Sequence, residues 1–389
     1  MKKYLSRLLV LCLLFSLMSC DGLELTERAF VIGLALDETE AGNIMLTTQL
    51  YRPSPEGAVG QMGGGKAGQN YLNIQTSAES VTKALRNIPM HIGRKAQWSH
   101  ISSILVAERL AEERGVAELL EFFYRDHEPR IISSIAVTEG KASDFLNIAP
   151  LMEMTPGHQL LVNEEGAHTF ANKSIETRLL KIALQLRSEV GNAVIPLIHK
   201  EDVHPQPSAT VSGVGLLKDG KLVDKLSPDL VEYLQIIRTD YQNGMIQFPC
   251  PGKKEEPQQV EVIEVVSMDS AVRPIIEGDS LRVSIPVRME VVIQELACSE
   301  TLEPEQEQEF VEYISQFFEQ QILTTVATLQ EKKFDAINIG NKIYGKDPQK
   351  WKEWKADWDE RFAKAEFSVD VQLRVINTGT MIGKPTFTE

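Results

Sequence analysis

The side chain best placed for chemistry is a thiol. Cys20 follows Leu17-Met18-Ser19, at the end of an apolar run that comes after Lys2, Lys3 and Arg7. A basic start, a short apolar stretch and a small residue at the junction make a secretory signal. The stretch from Leu8 to Met18 is too short to cross a bilayer, which takes about 20 residues. A Cys immediately after the junction makes it a bacterial lipoprotein signal, although Met18 is a less usual occupant of its place. Sulfur takes diacylglycerol before the cut, and two acyl chains hold far more firmly than one. The expectation is that residues 1–19 leave and Cys20 carries the lipid. The competing readings are a plain secretory signal that happens to contain a Cys and a tail-less anchor helix.

Other patterns imitate active sites and fall short. Gly60-x-x-x-x-Gly65-Lys66 is followed by Ala67, where a phosphate loop needs a hydroxyl for magnesium. No helix follows to supply amides and a dipole for phosphate. Ser80-x-x-Lys83 lacks the partner motifs of penicillin-binding enzymes and suits the first turns of a helix. The seven histidines are scattered, with no H-E-x-x-H, and His100 reads as a structural histidine. The Glu-rich run 300–309 lacks the spacing and Gly turn of a calcium loop and reads as a solvated helix start. No catalytic residue, cofactor site or metal site is expected. Cys12 leaves with the signal, so Cys250 and Cys298 remain. Export permits a disulfide between them. Spacing alone does not say whether they meet, and two buried thiols are the other reading.

Trp351, Trp354 and Trp358 fall on one helical face. They serve either as core or as a partner-binding patch, since Trp is enriched at interface hot spots.

The elements that position these residues follow from composition and pattern. The chain has 389 residues, enough for two or three domains, and 43% hydrophobic content is enough for real cores. Its net charge of −15 argues against a nucleic-acid partner and against adhesion to anionic lipid through a basic patch. Apolar runs at 29–37 and 43–50 predict a hairpin, and 52–70 a loop. Thr76-Ser77-Ala78-Glu79 reads as a capping box opening a helix. A strand at 101–107, a helix near 109–124 and a strand at 131–138 follow. A helix is expected over 175–190, with Leu179, Leu180, Ala183 and Leu186 inward. The Pro-bearing stretch 199–208 is the best boundary.

Beyond it come a strand at 210–217, a hairpin turn at Lys218-Asp219-Gly220-Lys221, a turn-rich interruption at 249–257, and strands at 259–267 and 281–295. Next is a long helix at 303–331, with Phe310, Ile314, Phe317, Leu323 and Val326 as its apolar positions, then an alternating strand at 365–376. The fold class is α+β. A mixed α/β region of one or two subdomains spans 20–205, and an antiparallel sheet packed on a long helix spans 206–389.

Several stretches together carry a family resemblance. They are Cys20-Asp21-Gly22-Leu23-Glu24-Leu25, the strand Phe30 to Gly33 and Asp37, and Ala84-Leu85-Arg86. Trp98-Ser99-His100, Arg125-Asp126 with Arg130, and the hairpin Gly215 to Val223 follow. Phe334-Asp335-Ala336 to Gly340, then Pro348, Trp351, Trp358 and Thr378-Gly379, complete the set. In order and spacing the chain resembles the Ger(x)C family, lipoprotein C subunits of nutrient germinant receptors in endospore-forming bacteria. The Trp that usually follows the lipid-bearing Cys is Asp21 here. The resemblance implies a lipoprotein on the outer face of the spore's inner membrane, without enzymatic activity. Its implied partners are an integral A subunit and a permease-like B subunit. A solute-binding lipoprotein of a transporter and a cell-surface hydrolase are the alternatives; the antiparallel C-terminal half disfavours the first.

Overall fold

The structure is a computed structural model that describes residues 24–52, 69–203, 206–241, 243–251, 259–301 and 303–377. The signal segment, Cys20, the Gly60–Lys66 pattern, Pro205 and Thr378-Gly379 lie outside the described residues.

β1 (Arg28–Glu38) and β2 (Ile44–Tyr51) form the expected hairpin, in register from Val31 opposite Leu50 to Glu38 opposite Ile44. β3 (Tyr71–Ala78) then pairs antiparallel with β2. Thr76-Ser77-Ala78 therefore end a strand instead of opening the expected helix. Thr76 sits opposite Leu46 in the ladder, and its buried hydroxyl donates to the Ala84 carbonyl at 2.9 Å. The helix cap is Ser80, which accepts the Lys83 N–H ahead of α1 (Val81–Ile92).

β4 (Lys95–Gln97) pairs with the start of β1, and β5 (Ser103–Ala107) lies parallel to β1. The single helix expected near 109–124 is two, α2 (Glu108–Glu113) and α3 (Val116–Arg125). Gly115 separates them at φ 90°, a conformation that favours glycine. β6 (Ser134–Thr138), the short α4 (Ala142–Phe145), α5 (Pro156–Thr169) and α6 (Leu179–Leu186) follow. α6 is shorter than expected. It buries Leu179 and Ile182, whereas Leu180, expected inward, is exposed. Its place is fixed by Leu179 N–H bonding to Ser133 and Leu180 N–H to Ile131, so one helical face rather than every leucine turns in.

β7 (Asn192–Val203), β8 (Gln206–Lys218) and β9 (Lys221–Leu226) complete the first sheet. Among the described residues its order is β3-β2-β1-β5-β6-β7-β8-β9, with β4 added beside β1. β7 and β8 flank the Pro-bearing stretch and pair with each other, from Asn192 opposite Lys218 to Val203 opposite Gln206. The β8–β9 turn is the expected one. Asp219 and Gly220 both have positive φ, as a two-residue hairpin turn requires.

α7 (Pro228–Arg238) leads to a second sheet of β10 (Gly244–Pro249), β11 (Val260–Ser270), β12 (Arg273–Glu277) and β13 (Ser280–Glu295). α8 (Pro304–Glu331), α9 (Ile339–Lys346), α10 (Pro348–Trp354) and α11 (Trp358–Lys364) precede β14 (Glu366–Asn377). β11 and β12 pair antiparallel with β13. β14 runs parallel to β13, so the sheet is mixed, not wholly antiparallel. The helices α8 to α11 form the crossover that lets the chain re-enter the sheet in the same direction. α8 lies on this sheet through Phe310, Ile314, Phe318, Ile322 and Val326, an i+4 stripe. The expected Leu323 is exposed and Phe317 only half-buried.

One core fills the first sheet and α1 to α6. A second lies between α8 and its sheet, and it also takes Val194, Val214, Leu216 and Leu226 from β7 to β9. The two halves thus meet through apolar packing.

Candidate functional site

The residues singled out by type mostly hold the frame. Ser80 caps α1, and Lys83 pairs with Glu79 at 2.7 Å. His100 closes a helical turn edge-on to the Phe30 ring, 5.1 Å between centroids. In the Glu-rich run, Glu303 and Gln306 form a reciprocal capping box at the start of α8.

Trp351, Trp354 and Trp358 come together, but inside the second core. Trp351 and Trp354 are each only 1% exposed. Of the two readings of this face, the rings take the core one. Their polar edges meet carboxylates that are themselves open to solvent. Trp351 Nε1 donates to Glu189 at 3.0 Å and Trp354 Nε1 to Asp279 at 3.2 Å. Arg361 lies over the Trp354 ring, 4.7 Å from its centroid, and pairs with Asp279 at 2.9 Å.

Asp335 anchors the segment that precedes them. Its carboxylate accepts N–H groups from Ile337 at 3.2 Å, Ile339 at 3.1 Å and Gly340 at 2.9 Å. Burial pushes this carboxyl above its ordinary range despite those donors. Asp37 anchors a helix start at the other end of the chain. It is buried and accepts the Ala142 and Ser143 N–H groups at 2.7 and 2.9 Å, capping α4. Gly33 allows close approach, since a Cβ there would lie 3.3 Å from Gly157 Cα at the start of α5.

Cys250 and Cys298 are joined, with Cα atoms 6.1 Å apart. Beside them Glu261 is fully buried on β11. It accepts N–H groups from Ala297, Cys298 and Ser299 and the Ser299 hydroxyl, between 2.7 and 3.2 Å. Two sulfurs and a carboxylate could have suggested a metal. The sulfurs are bonded to each other and the carboxylate is occupied by donors, so the group locks a loop and does not fit an ion. Sequence reading missed Glu261 because a glutamate reads as a surface residue; it shares the inward parity of Ile263 and Val265, and only its donors at Ala297, Cys298 and Ser299 make its burial tolerable.

Glu164 is the carboxyl most like a catalytic acid. Burial pushes it up to about 7, against opposing hydrogen bonds from Ser134 and the Thr177 N–H and the charge of Arg178. It is 2% exposed, so no substrate reaches it. The grooves that do open are shallow. One of about 480 Å³ lies between α1 and α3, and another of about 420 Å³ lies on the outer face of the second sheet.

Comparison with known proteins assigns this frame to a family. Residues 21–200 match the family described as spore germination protein N-terminal domain. Residues 212–379 match the family described as spore germination B3/GerAC like, C-terminal. The chain belongs to the Ger(x)C family of spore germination proteins. It is similar to spore germination protein B3 of Bacillus subtilis (strain 168), at 23% identity over 96% of this chain and 97% of that one. It is similar to spore germination protein KC of the same organism, at 25% identity over 95% of this chain and 94% of that one. It shares its fold with the GerBC protein, whose crystal structure aligns at a TM-score of 0.55 and 22% identity, over 89% of this chain and 97% of that one.

Ger(x)C membership gives the quoted stretches a physical meaning. Asp37 and Asp335 look functional in a sequence because carboxylates are costly to bury, and Gly340 and Trp351 because of their place in the quoted stretch. In this Ger(x)C chain each is turned inward and paired or packed. Among the described residues no helix is long and apolar enough to cross a membrane.

Proposed function

We propose that the chain is the lipid-anchored, non-catalytic subunit of a spore nutrient germinant receptor. In this reading it stands on the outer face of the spore's inner membrane through diacylglycerol on Cys20. There it scaffolds or couples the integral A and B subunits. The observation that carries the reading is the pairing of a lipoprotein junction at Cys20 with a germination-family frame over nearly the whole chain. The inward use of the chemistry-bearing residues supports a scaffold over an enzyme.

The test is germination of spores whose only copy of the gene carries Cys20→Ala. Dipicolinic acid release should slow with one nutrient set and remain normal with calcium dipicolinate, which bypasses receptors. Full nutrient response from spores that make this variant would sink the tethered-scaffold reading. A solute-binding role would instead show as nutrient binding to the isolated chain by calorimetry.

A further inference from the structure

The parallel register of β1, β5 and β6 gives the first sheet two chemically different ends. The segments entering these strands lie side by side. Ser102 N–H bonds to Ile32 O at 2.7 Å, and Ser134 N–H to Ser102 O at 2.9 Å. Cys20 precedes β1 at this same end. The eight residues from Cys20 to Arg28 reach at most about 28 Å when extended. A lipid on Cys20 therefore keeps this end near the bilayer.

An unusual turn lies here. Arg130-Ile131-Ile132-Ser133 is closed by Ser133 N–H on Arg130 O at 3.1 Å and braced by the Ser133 hydroxyl on Ile101 O at 2.8 Å. Turn corners favour Gly, Pro, Asn, Asp and Ser. This one presents two isoleucines to solvent, and Ile132 is 62% exposed. Leu180 N–H bonds to Ile131 O at 3.0 Å, which sets exposed Leu180 against the turn. Leu184, 64% exposed, follows one helical turn along α6.

Two unpaired arginines lie at the same end. Arg94, just before β4, and Arg130 are exposed and form no ion pair among the described residues. Lys95 beside them shares Glu128. The far ends of the same strands and the segments that follow carry Glu38, Glu40, Glu108, Glu112, Glu113 and Glu139. Glu24, Glu27, Asp126 and Glu128 lie at this end too, so it is mixed in charge, and among the described residues Arg94 and Arg130 are the cations left without a carboxylate there; only charge within a Debye length of the surface acts on headgroups.

We propose that Arg94, Arg130, Ile131, Ile132, Leu180 and Leu184 form a seating surface that rests on anionic lipid headgroups. The proposal rests on the lipid-anchor reading, because the tether supplies the local concentration that makes weak contacts effective. The apolar turn enters the headgroup layer while the arginines meet phosphate. The ectodomain is thereby held in one orientation, with the far ends of these strands away from the membrane.

The test uses the chain from Cys20 to Glu389, which contains every described contact. With Cys250 and Cys298 bonded to each other, Cys20 is the free thiol and couples to maleimide-headgroup vesicles of phosphatidylglycerol and phosphatidylcholine. Amide hydrogen exchange is compared with the same chain capped at Cys20 in solution. Residues 130–133 and 180–184 should exchange roughly tenfold slower on vesicles, with 39–43 and 139–141 unchanged. Vesicles of phosphatidylcholine alone should give clearly less protection. The combined variant Arg130→Glu, Ile131→Ser, Ile132→Ser, Leu184→Ser should lose the protection while far-end exchange reports an intact fold. Equal exchange at both ends overturns the proposal, as it must if a protein partner rather than lipid takes this surface. Because the coupling is chemical, failure here says nothing against acylation in the cell. Acylation is read separately, as radiolabelled palmitate in wild type against Cys20→Ala.

Discussion

Trp351 donates its indole N–H to Glu189 at 3.0 Å, and Lys355 reaches the same carboxylate oxygen at 2.8 Å. Glu189 lies between α6 and β7, so these bonds join the C-terminal helices to the first sheet. The neighbouring Val190 N–H donates to Asn341 at 3.2 Å. Gly340 sits under the joint, where a Cβ would lie 2.6 Å from both the Trp351 ring and Val190 Cγ2. The ring is held by its hydrogen bond and by the core, so it has little room to give. Gly340→Ala should cost about 2–3 kcal/mol in urea unfolding. A change below about 0.5 kcal/mol would mean that the ring re-seats freely.

Asp335 offers a sharper contrast between two substitutions. Asp335→Ala strands three buried N–H groups and should cost roughly 3–5 kcal/mol. Asp335→Asn keeps one acceptor oxygen and avoids burying a charge, so it should cost much less. Equilibrium denaturation of both variants checks the order. Equal losses would show that packing, not the amide acceptors, is what the residue provides.

How much of this was legible depends on the range of each signal. β13 and β14 alternate cleanly, and their inward faces are Val283 to Ile293 and Val371 with Leu373, as their periods predict. The β8–β9 turn is equally local. The inner stripe of α8 was harder, because Phe317 and Phe318 are adjacent and only tertiary packing chooses Phe318. α5 gives no apolar stripe at all. Its inward residues include Gly157, Glu164 and His168, which read as surface until Ser134 and Thr177 are folded against them. β3 is disguised in the same way. Its Asn73 and Gln75 are satisfied across the sheet by Gln49 and Thr47. Glu189 and Glu261 have meaning only through partners far along the chain.

The Cys250–Cys298 bond closes a loop with a sequence separation of 48. Loop-closure entropy for that length is about 4 kcal/mol. Reductant should lower the urea midpoint of the wild-type chain and leave a Cys250→Ser, Cys298→Ser double variant unmoved. Coincident midpoints with and without reductant would mean that the bond adds nothing to folding.

Glu164 should give the chain a distinctive pH dependence. Its carboxyl stands at about 7 in the folded protein, raised chiefly by burial, against about 4.3 in an unfolded chain. Between those values the folded state keeps a proton that the unfolded state releases. Stability from this residue is therefore full below about pH 4.3 and is lost as pH rises through 7, by up to roughly 4 kcal/mol. Above that, both states are ionised and the loss levels off. Glu164→Gln keeps the size and an acceptor oxygen for the Thr177 N–H while removing the titration. Unfolding free energies of the two chains, measured from pH 5 to 8, should diverge in favour of Glu164→Gln as pH rises. The comparison isolates this group, because every other titrating residue is common to both chains. Parallel curves would show that Glu164 is already charged when folded, with Arg178 and the Ser134 hydroxyl compensating its burial.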